Sequence, residues 1–301
     1  MEWQKLFEQH LRSIGDWWVS DARRFELHLA DREQLLMQRK KDQLHEKNGV
    51  IQKAIIQATI AHLEQKREDE LIAYGLLTQW FIQQNNEFFL EERSEERQAI
   101  LRNQKIVADD LKPVAKSEEA EWTAAKNETN ADKRAPQHPR VYDRLGAVRY
   151  ADLWWNRRNP AFPVVENDCT NFISQCLYAG GIPMWGMPVR NRGWWQQQTN
   201  WSFSWTVANS LRWYLSSSGN IIGTAEVEQA DQLVPGDVIC YDFEGDGNWN
   251  HNTMVTSIDP SGEPLVNAHT YDTRNRPWPY TDSPAWTEKI QYKFFHILDE
   301  V

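Results

Sequence analysis

Residues 159–181, NPAFPVVENDCTNFISQCLYAGG, decide how the fold of this chain is interpreted. The two prolines near its start keep the backbone extended, because a residue that precedes proline avoids the helical region. A helix should then begin at Asn167 or Asp168, either of which can act as its N-cap, and run through Tyr178. The glycine pair that follows can end it. The sequence therefore predicts an amphipathic helix with Cys169 in its first turn.

A cysteine at the start of a helix is a candidate nucleophile. The positive end of the helix dipole and the unpaired backbone N–H groups of the first turn both lower the pKa of a thiol. The same N–H groups can hold the oxyanion of a tetrahedral intermediate. We therefore expect Cys169 to ionise near neutral pH and to attack a carbonyl carbon.

Two later strands carry residues that can complete such a site. His251 opens the predicted strand HNTMVTSID and can take up the proton of the thiol. On the next predicted strand, LVNAHTYD, alternation puts Asn267 and His269 on one face. Either residue can orient the His251 imidazole, and Asp272 at the strand end is a weaker option.

Three blocks of the chain resemble the putative amidase domain of bacterial proteins. They read NDCTNFISQCLYAGGIPM, GDVICYDFEGDGNWNHNTMV and VNAHTYDTRNRPW, and the resemblance covers about residues 140–298. That domain is similar to the NlpC-type and CHAP-type cell-wall peptidases of the papain-like group. The resemblance implies a papain-like α+β fold, a helix-borne nucleophile Cys169, the base His251 and a third polar residue at Asn267. One departure is Asn252, which stands where that group has a small or apolar residue.

The activity expected from these residues is hydrolysis of an amide or peptide bond through a thioester intermediate. The resemblance makes a cell-wall peptide the first substrate class. One alternative is a catalytically inactive binding or structural module that kept the fold. Another is acyl or glutamyl transfer to an amine, which shares the first half-reaction.

No metal or organic cofactor is expected for this chemistry. The turn DFEGDGNWN matches the start of a calcium loop, but Thr253 stands where that loop needs a glutamate. An acidic hairpin turn is therefore the preferred interpretation of this stretch.

The chain is rich in tryptophan, and several tryptophans lie between the cysteine helix and the predicted strands. Aromatic rings beside a nucleophile can line a cleft for an extended peptide. We take Trp194, Trp195 and Asp168 as the candidate substrate-binding residues. The alternative is that the indoles fill the core.

The composition changes along the chain and indicates a second domain. Residues 1–134 hold 3 of the 14 glycines and 1 of the 13 prolines. Apolar residues recur at helical spacing over residues 2–46 and then at a period near two in four stretches. The sequence predicts a smaller α+β accessory domain of a helix and a meander at 1–115, a linker at 116–140 and the papain-like domain at 141–301. A long helical hairpin is the alternative for the accessory domain.

Charge and cysteine content limit the partners of this chain of 301 residues. A net charge of −10 disfavours non-specific binding to nucleic acid. No apolar run approaches the ~18–20 residues that span a membrane, and the start lacks the pattern of a secretory signal. Three cysteines are too few for a disulfide framework. We expect a cytoplasmic or spore compartment, a peptide or amide substrate, a protein partner for the N-terminal domain, no nucleic acid and no membrane span.

Overall fold

The structure is a computed structural model. It describes four ranges of the chain, which are 2–20, 27–66, 68–112 and 141–300. The predicted linker at 116–140 lies outside these described residues. Among them, no helix is both long and apolar enough to cross a membrane.

Helices and antiparallel strands both occur, so the described chain is of mixed α and β type. The helices are α1 (Glu2–Val19), α2 (Asp31–Glu46), α3 (Arg144–Trp154), α4 (Cys169–Ala179), α5 (Phe203–Thr206) and α6 (Ala208–Leu215). The strands are β1 (Gly49–Lys66), β2 (Asp69–Gln84), β3 (Glu87–Arg102), β4 (Lys105–Leu111), β5 (Gln196–Gln197), β6 (Asn200–Trp201), β7 (Thr224–Val227), β8 (Val238–Asp242), β9 (His251–Ile258), β10 (Pro264–Ala268), β11 (Asp272–Pro277) and β12 (Gln291–Ile297).

The chain divides into two compact units. The first is Met1–Pro113 with Tyr271–Ala285, and the second is Val114–Thr270 with Trp286–Val301. The predicted domain limits differ from this division in one segment, Tyr271–Ala285, which the sequence assigns to the C-terminal domain. This segment carries β11, whose backbone pairs with β3 of the first unit.

The first unit contains the predicted meander and not a helical hairpin. β1 pairs with β2, β2 with β3 and β3 with β4, all antiparallel. Asn85 and Asn86 connect β2 to β3, and both have positive φ. This conformation suits a tight hairpin turn, because its twist matches that of the flanking strands. Apolar residues alternate along β2, and their buried face packs with α1, whose Trp17 and Trp18 are also buried.

The second unit is an antiparallel sheet covered by helices. Its strand order is β7, β12, β8, β9, β10. Helices α3 and α4 pack on β9 and β10. The core between them contains Phe172, Ile173 and Cys176 of α4, with Cys240 of β8 and Met254 of β9. The predicted cysteine helix corresponds to α4, and the two predicted strands after it correspond to β9 and β10. The papain-like identity of this arrangement stays a prediction.

Candidate functional site

Helix α4 carries the predicted nucleophile as its first residue. The helix begins at Cys169, one residue after the predicted N-cap Asp168, and ends at Ala179. Gly180 takes the C-cap position, and its N–H donates to the Cys176 carbonyl. The sequence prediction of this helix is therefore confirmed to within about a residue at each end.

The Cys169 thiol is enclosed by protein. The residue is only 4% exposed, and its Sγ lies 3.7 Å from the Thr170 hydroxyl oxygen. Burial raises the pKa of the thiol, and hydrogen bonds from the Thr170 hydroxyl and from the Asn252 backbone N–H offset this only in part. The expectation of a lowered thiol pKa is thus wrong for this arrangement, because desolvation of the thiolate outweighs the favourable groups.

Asn252 explains the departure from the family pattern. Its side chain is fully buried, and its Nδ2 donates to the Thr170 hydroxyl at 2.9 Å. Asn252 stands opposite Cys240 of β8, on the sheet face that packs against α4. The polar side chain therefore ties the start of α4 to the start of β9, in the place where a small apolar residue would only fill space.

His251 is the first residue of β9 and stands opposite Tyr241 of β8. Successive side chains of a strand point to opposite faces, so His251 and Asn252 are directed to different sides of the sheet. The His251 ring is 5.5 Å from the Tyr241 ring and 6.0 Å from that of Phe243, measured between centroids. A direct pair between this imidazole and the Cys169 thiol stays a prediction.

His269 is held by two acceptors. Its Nδ1 lies 2.5 Å from Asp168 Oδ2, and its Nε2 lies 2.8 Å from the Trp154 carbonyl oxygen at the end of α3. Its ring also stacks on Phe172 at 3.9 Å. A backbone carbonyl and a carboxylate both accept hydrogen bonds, so each ring nitrogen of His269 faces an acceptor.

The Asp168 carboxylate contacts three side chains. Besides His269, its Oδ2 lies 2.7 Å from Arg158 Nε, and its Oδ1 accepts a hydrogen bond of 2.7 Å from Asn171 Nδ2. It occupies the N-cap position without a capping hydrogen bond from its side chain. Its carboxylate is buried and engaged within the protein, so the prediction that Asp168 binds substrate has no open oxygen to build on here.

Asn267 lies on the same side of the sheet as His269. β10 is the antiparallel neighbour of β9, as the sequence predicted. The Asn267 side-chain oxygen accepts from the Thr256 hydroxyl at 2.9 Å, and Nδ2 donates to Asp152 Oδ1 at 3.1 Å. Asp272 begins β11 in the first unit, opposite Ser94. The structure therefore gathers Cys169, Asp168 and His269 at the start of α4, with Asn267 further along the same face.

The predicted substrate-binding tryptophans belong to the core. Trp194 and Trp195 are both fully buried. Trp194 Nε1 donates to the Ser174 hydroxyl at 3.0 Å, and Trp195 Nε1 donates to the carbonyls of Val189 and Arg192. Indoles enclosed in this way offer no ring face to a substrate, so the core-filling alternative describes them in this structure.

The acidic turn is organised by its own first residue. Asp242 is buried, and its carboxylate accepts hydrogen bonds from the backbone N–H groups of Gly245 at 2.8 Å and Gly247 at 2.7 Å. The Asp242 carboxylate oxygens, which a calcium ion would need as ligands, are therefore already hydrogen-bonded to the backbone. Within the described ranges, no group of three His, Cys, Asp or Glu residues has the arrangement of a metal site.

Sequence reasoning missed the polar residues that surround Asp168. Thr170 and Asn171 are buried, and both make side-chain hydrogen bonds that fix the start of α4. The signal was present, because polar residues at consecutive positions of a helix whose neighbours are apolar need partners when buried. Arg158 carried no comparable signal in the sequence.

Comparisons with known proteins identify the family of the chain. Residues 141–295 match the family described as a putative amidase domain. The chain is 45% identical over 275 residues to the uncharacterized protein YhbB of Bacillus subtilis (strain 168), and the match covers 88% of this chain and 86% of that protein. It is 27% identical over 187 residues to the uncharacterized protein YjcM of the same organism, covering 59% of this chain and 43% of that protein. No solved structure matches the chain. The chain therefore belongs to the putative amidase domain family.

Proposed function

We propose that the second unit is a cysteine-dependent amidase or peptidase, with Cys169 as nucleophile and His251 as general base. The observation that carries this proposal is the position of the Cys169 thiol. It stands at the first residue of α4 and receives the backbone N–H of Asn252. That N–H belongs to the peptide group that joins His251 to Asn252, so the thiol lies beside the backbone at the start of β9.

The proposed reaction needs one proton acceptor and one anion site. His251 takes the thiol proton, and Cys169 Sγ forms a bond to the amide carbon. The backbone N–H of Cys169 holds the oxyanion, as helix N-termini can. Collapse breaks the C–N bond, and His251 passes its proton to the leaving amine. Water then attacks the thioester, regenerating the thiol and releasing the acid.

Because burial raises the pKa of Cys169, a preformed thiolate does not fit this arrangement. The proposal therefore assigns proton removal to His251 as the thiol attacks an electrophile, iodoacetamide included, which requires the His251 ring to turn toward the N-terminal end of β9. Asn267 and His269 remain the two candidates for orienting that ring. Each of them already makes two hydrogen bonds, His269 with Asp168 and Trp154 and Asn267 with Thr256 and Asp152, so either must exchange a partner to bind His251.

The proposed substrate is an amide bond in a peptide, and the resemblance to NlpC-type enzymes makes cell-wall peptides the first class to test. Acyl transfer uses the same thioester and differs only in the second nucleophile. Adding hydroxylamine during turnover would trap the thioester as a hydroxamate and measure how the two outcomes divide.

The test compares alkylation of the three cysteines, all of them buried. Wild type, Cys169→Ala and His251→Ala are treated with iodoacetamide between pH 6 and 9, and each site is followed by mass spectrometry. We expect Cys169 to react at least about tenfold faster than Cys176 and Cys240, and His251→Ala to remove most of this advantage. Equal rates at all three sites, unchanged by His251→Ala, would refute the proposal.

The second candidate function is an inactive binding module with the same fold. It is favoured by the enclosure of the Cys169 thiol and by the alternation that directs His251 and Asn252 to different faces. Such a module should bind peptides equally well in wild type and Cys169→Ala, and the alkylation series should show no selective site.

A further inference from the structure

Arg212, in the last turn of α6, is a buried cation that makes no direct ion pair with the described residues. The residue is 8% exposed, and its Nε and Nη1 atoms are enclosed and have no hydrogen-bond partner. No ion pair within 4 Å reaches the guanidinium from the described residues. Its Cζ lies 3.8 Å from the centre of the Trp213 ring and 5.1 Å from that of Trp249. Burial lowers the pKa of Arg212 below its ordinary value, and the charge of Glu226, which is itself paired with Lys293, offsets this only in part.

Other buried arginines of the chain are differently placed. Arg97 donates hydrogen bonds to the carboxylates of Glu33 and Asp109, and Arg276 donates hydrogen bonds to Asp282. A buried charge is normally paired, because its transfer from water is unfavourable without a compensating anion. Stacking on two indoles recovers part of this loss for Arg212, yet it satisfies no N–H group. The Arg212 guanidinium therefore has N–H donors and a positive charge that a bound anion would satisfy.

Arg212 lies close to the proposed active site. Burial raises the pKa of the Cys240 thiol, the charge of Arg212 lowers it in part, and Cys169 raises it further. Cys240 is thus within electrostatic range of both residues. Trp249, one of the two rings that flank the guanidinium, is two positions before His251 in the chain. The cation, the thiol and the loop that leads to the base share one region of the second unit.

We propose that Arg212 binds a carboxylate of the substrate, so that the site takes peptides that carry a negative charge near the amide to be cleaved. This specificity rests on the proposed function. The substrate carboxylate would reach Arg212 at Nη2, the guanidinium nitrogen that is not enclosed. There it would accept a charge-assisted hydrogen bond. Trp213, a residue that is 53% exposed, forms the outer wall of this approach.

The test measures binding without turnover. In the Cys169→Ala background, ligand-observed NMR titration compares N-acetyl-alanyl-alanine, which has a free carboxylate, with its C-terminal amide. We expect the carboxylate to bind at least about tenfold more tightly than the amide. Arg212→Gln should abolish this preference, and Arg212→Lys should retain part of it, because it keeps the charge but not the planar stack.

Arg190→Gln is the matched control. Arg190 belongs to the same unit and stacks on Phe203 at 4.7 Å, but it is exposed and its Nε donates to the Trp201 carbonyl. Its loss removes the same charge and should leave the carboxylate preference unchanged. An equal loss in both variants would reduce the effect to net charge and overturn the proposal.

Two further outcomes would overturn it. One is a wild-type site that binds the amide as tightly as the carboxylate, a result that does not depend on any variant folding. The other is a folded Arg212→Gln protein, judged by circular dichroism and thermal unfolding, that keeps the preference. Because no chemistry occurs in this background, a carboxylate preference without selective alkylation of Cys169 would refute only the amidase, and the reverse pattern would refute only the role of Arg212.

Discussion

Asp168 and His269 are 101 positions apart in the chain, yet their side chains meet in a hydrogen bond of 2.5 Å between Oδ2 and Nδ1. The other ring nitrogen of His269 is bound to the Trp154 carbonyl. One imidazole therefore connects the end of α3, the N-cap of α4 and the segment that follows β10. Since Cys169 comes directly after Asp168, the position of the thiol depends on this connection.

Replacing His269 with Ala should destabilise the second unit strongly. The change removes one hydrogen-bond partner of the buried Asp168 carboxylate and the stack on Phe172. Leaving a buried charged group without a hydrogen-bond partner costs about 1–3 kcal/mol or more, and the lost ring contact adds to this, so we expect a loss of about 3 kcal/mol in the free energy of unfolding. Urea unfolding at pH 7 measures it. Gln197→Ala, at an exposed position of the same unit, is the control. A loss no larger than that of the control would show that the connection carries little stability.

Periodicity in the sequence was enough to predict most of the backbone. The four strands of the meander and the cysteine helix follow from local spacing, which decides where apolar side chains fall on an element. The pairing of β11 with β3 could not be found in this way, because it joins residues that are about 180 positions apart.

The candidate site was predictable by residue type but not by environment. Spacing alone identified Cys169 at a helix start and His251 at a strand start. It could not show that the thiol is enclosed, since burial depends on how Asn252 and Thr170 close over it. For the same reason the sequence could not distinguish indoles in a cleft from indoles in the core.

The three buried thiols should make the protein less stable at alkaline pH. Burial raises the pKa of Cys169, Cys176 and Cys240 above the ordinary thiol value of about 8.5. Above that pH the unfolded chain loses thiol protons that the folded chain retains. Stability is therefore complete below the unfolded pKa and falls as the pH rises through the folded values.

Between the unfolded and the folded pKa, each buried thiol lowers the free energy of unfolding by up to about 1.4 kcal/mol per pH unit. Urea unfolding of wild type between pH 8 and 10 should show a steeper fall than the variant with all three cysteines changed to Ala. Buried tyrosines titrate in both proteins and cancel in the comparison. Parallel curves would contradict the raised thiol pKa values.

Asp109 should give the first unit the opposite dependence on pH. Burial alone would raise the pKa of Asp109, but hydrogen bonds from His10 at 2.8 Å and from Tyr74, with the charge of Arg97, hold it below the usual range. A lowered carboxyl pKa stabilises the folded state above the unfolded value near 4, and this contribution disappears as the pH falls through the folded value.

Asp109→Asn should therefore be destabilising at pH 7, by about 3 kcal/mol, because it leaves Arg97 with one buried carboxylate fewer. The difference from wild type should shrink below pH 4. Urea unfolding at pH 7, 5 and 3.5 measures this, with Asp110→Asn as the control at the exposed neighbouring position. A difference that stays constant across this range would indicate that packing, and not charge, is lost.

Trp194→Phe separates the two roles that the sequence left open for this residue. The indole is fully buried, its N–H donates to Ser174, and its ring lies 4.6 Å from that of Trp205. Loss of a buried hydrogen bond and of ring volume should lower the free energy of unfolding by about 1–3 kcal/mol. A core residue should do this without changing the affinity for a peptide ligand. A substrate-stacking residue should instead weaken binding of N-acetyl-alanyl-alanine and leave stability nearly unchanged. Trp213→Phe, which alters an exposed ring beside Arg212, is expected to show that second pattern, so the pair of variants distinguishes core from cleft within one unit.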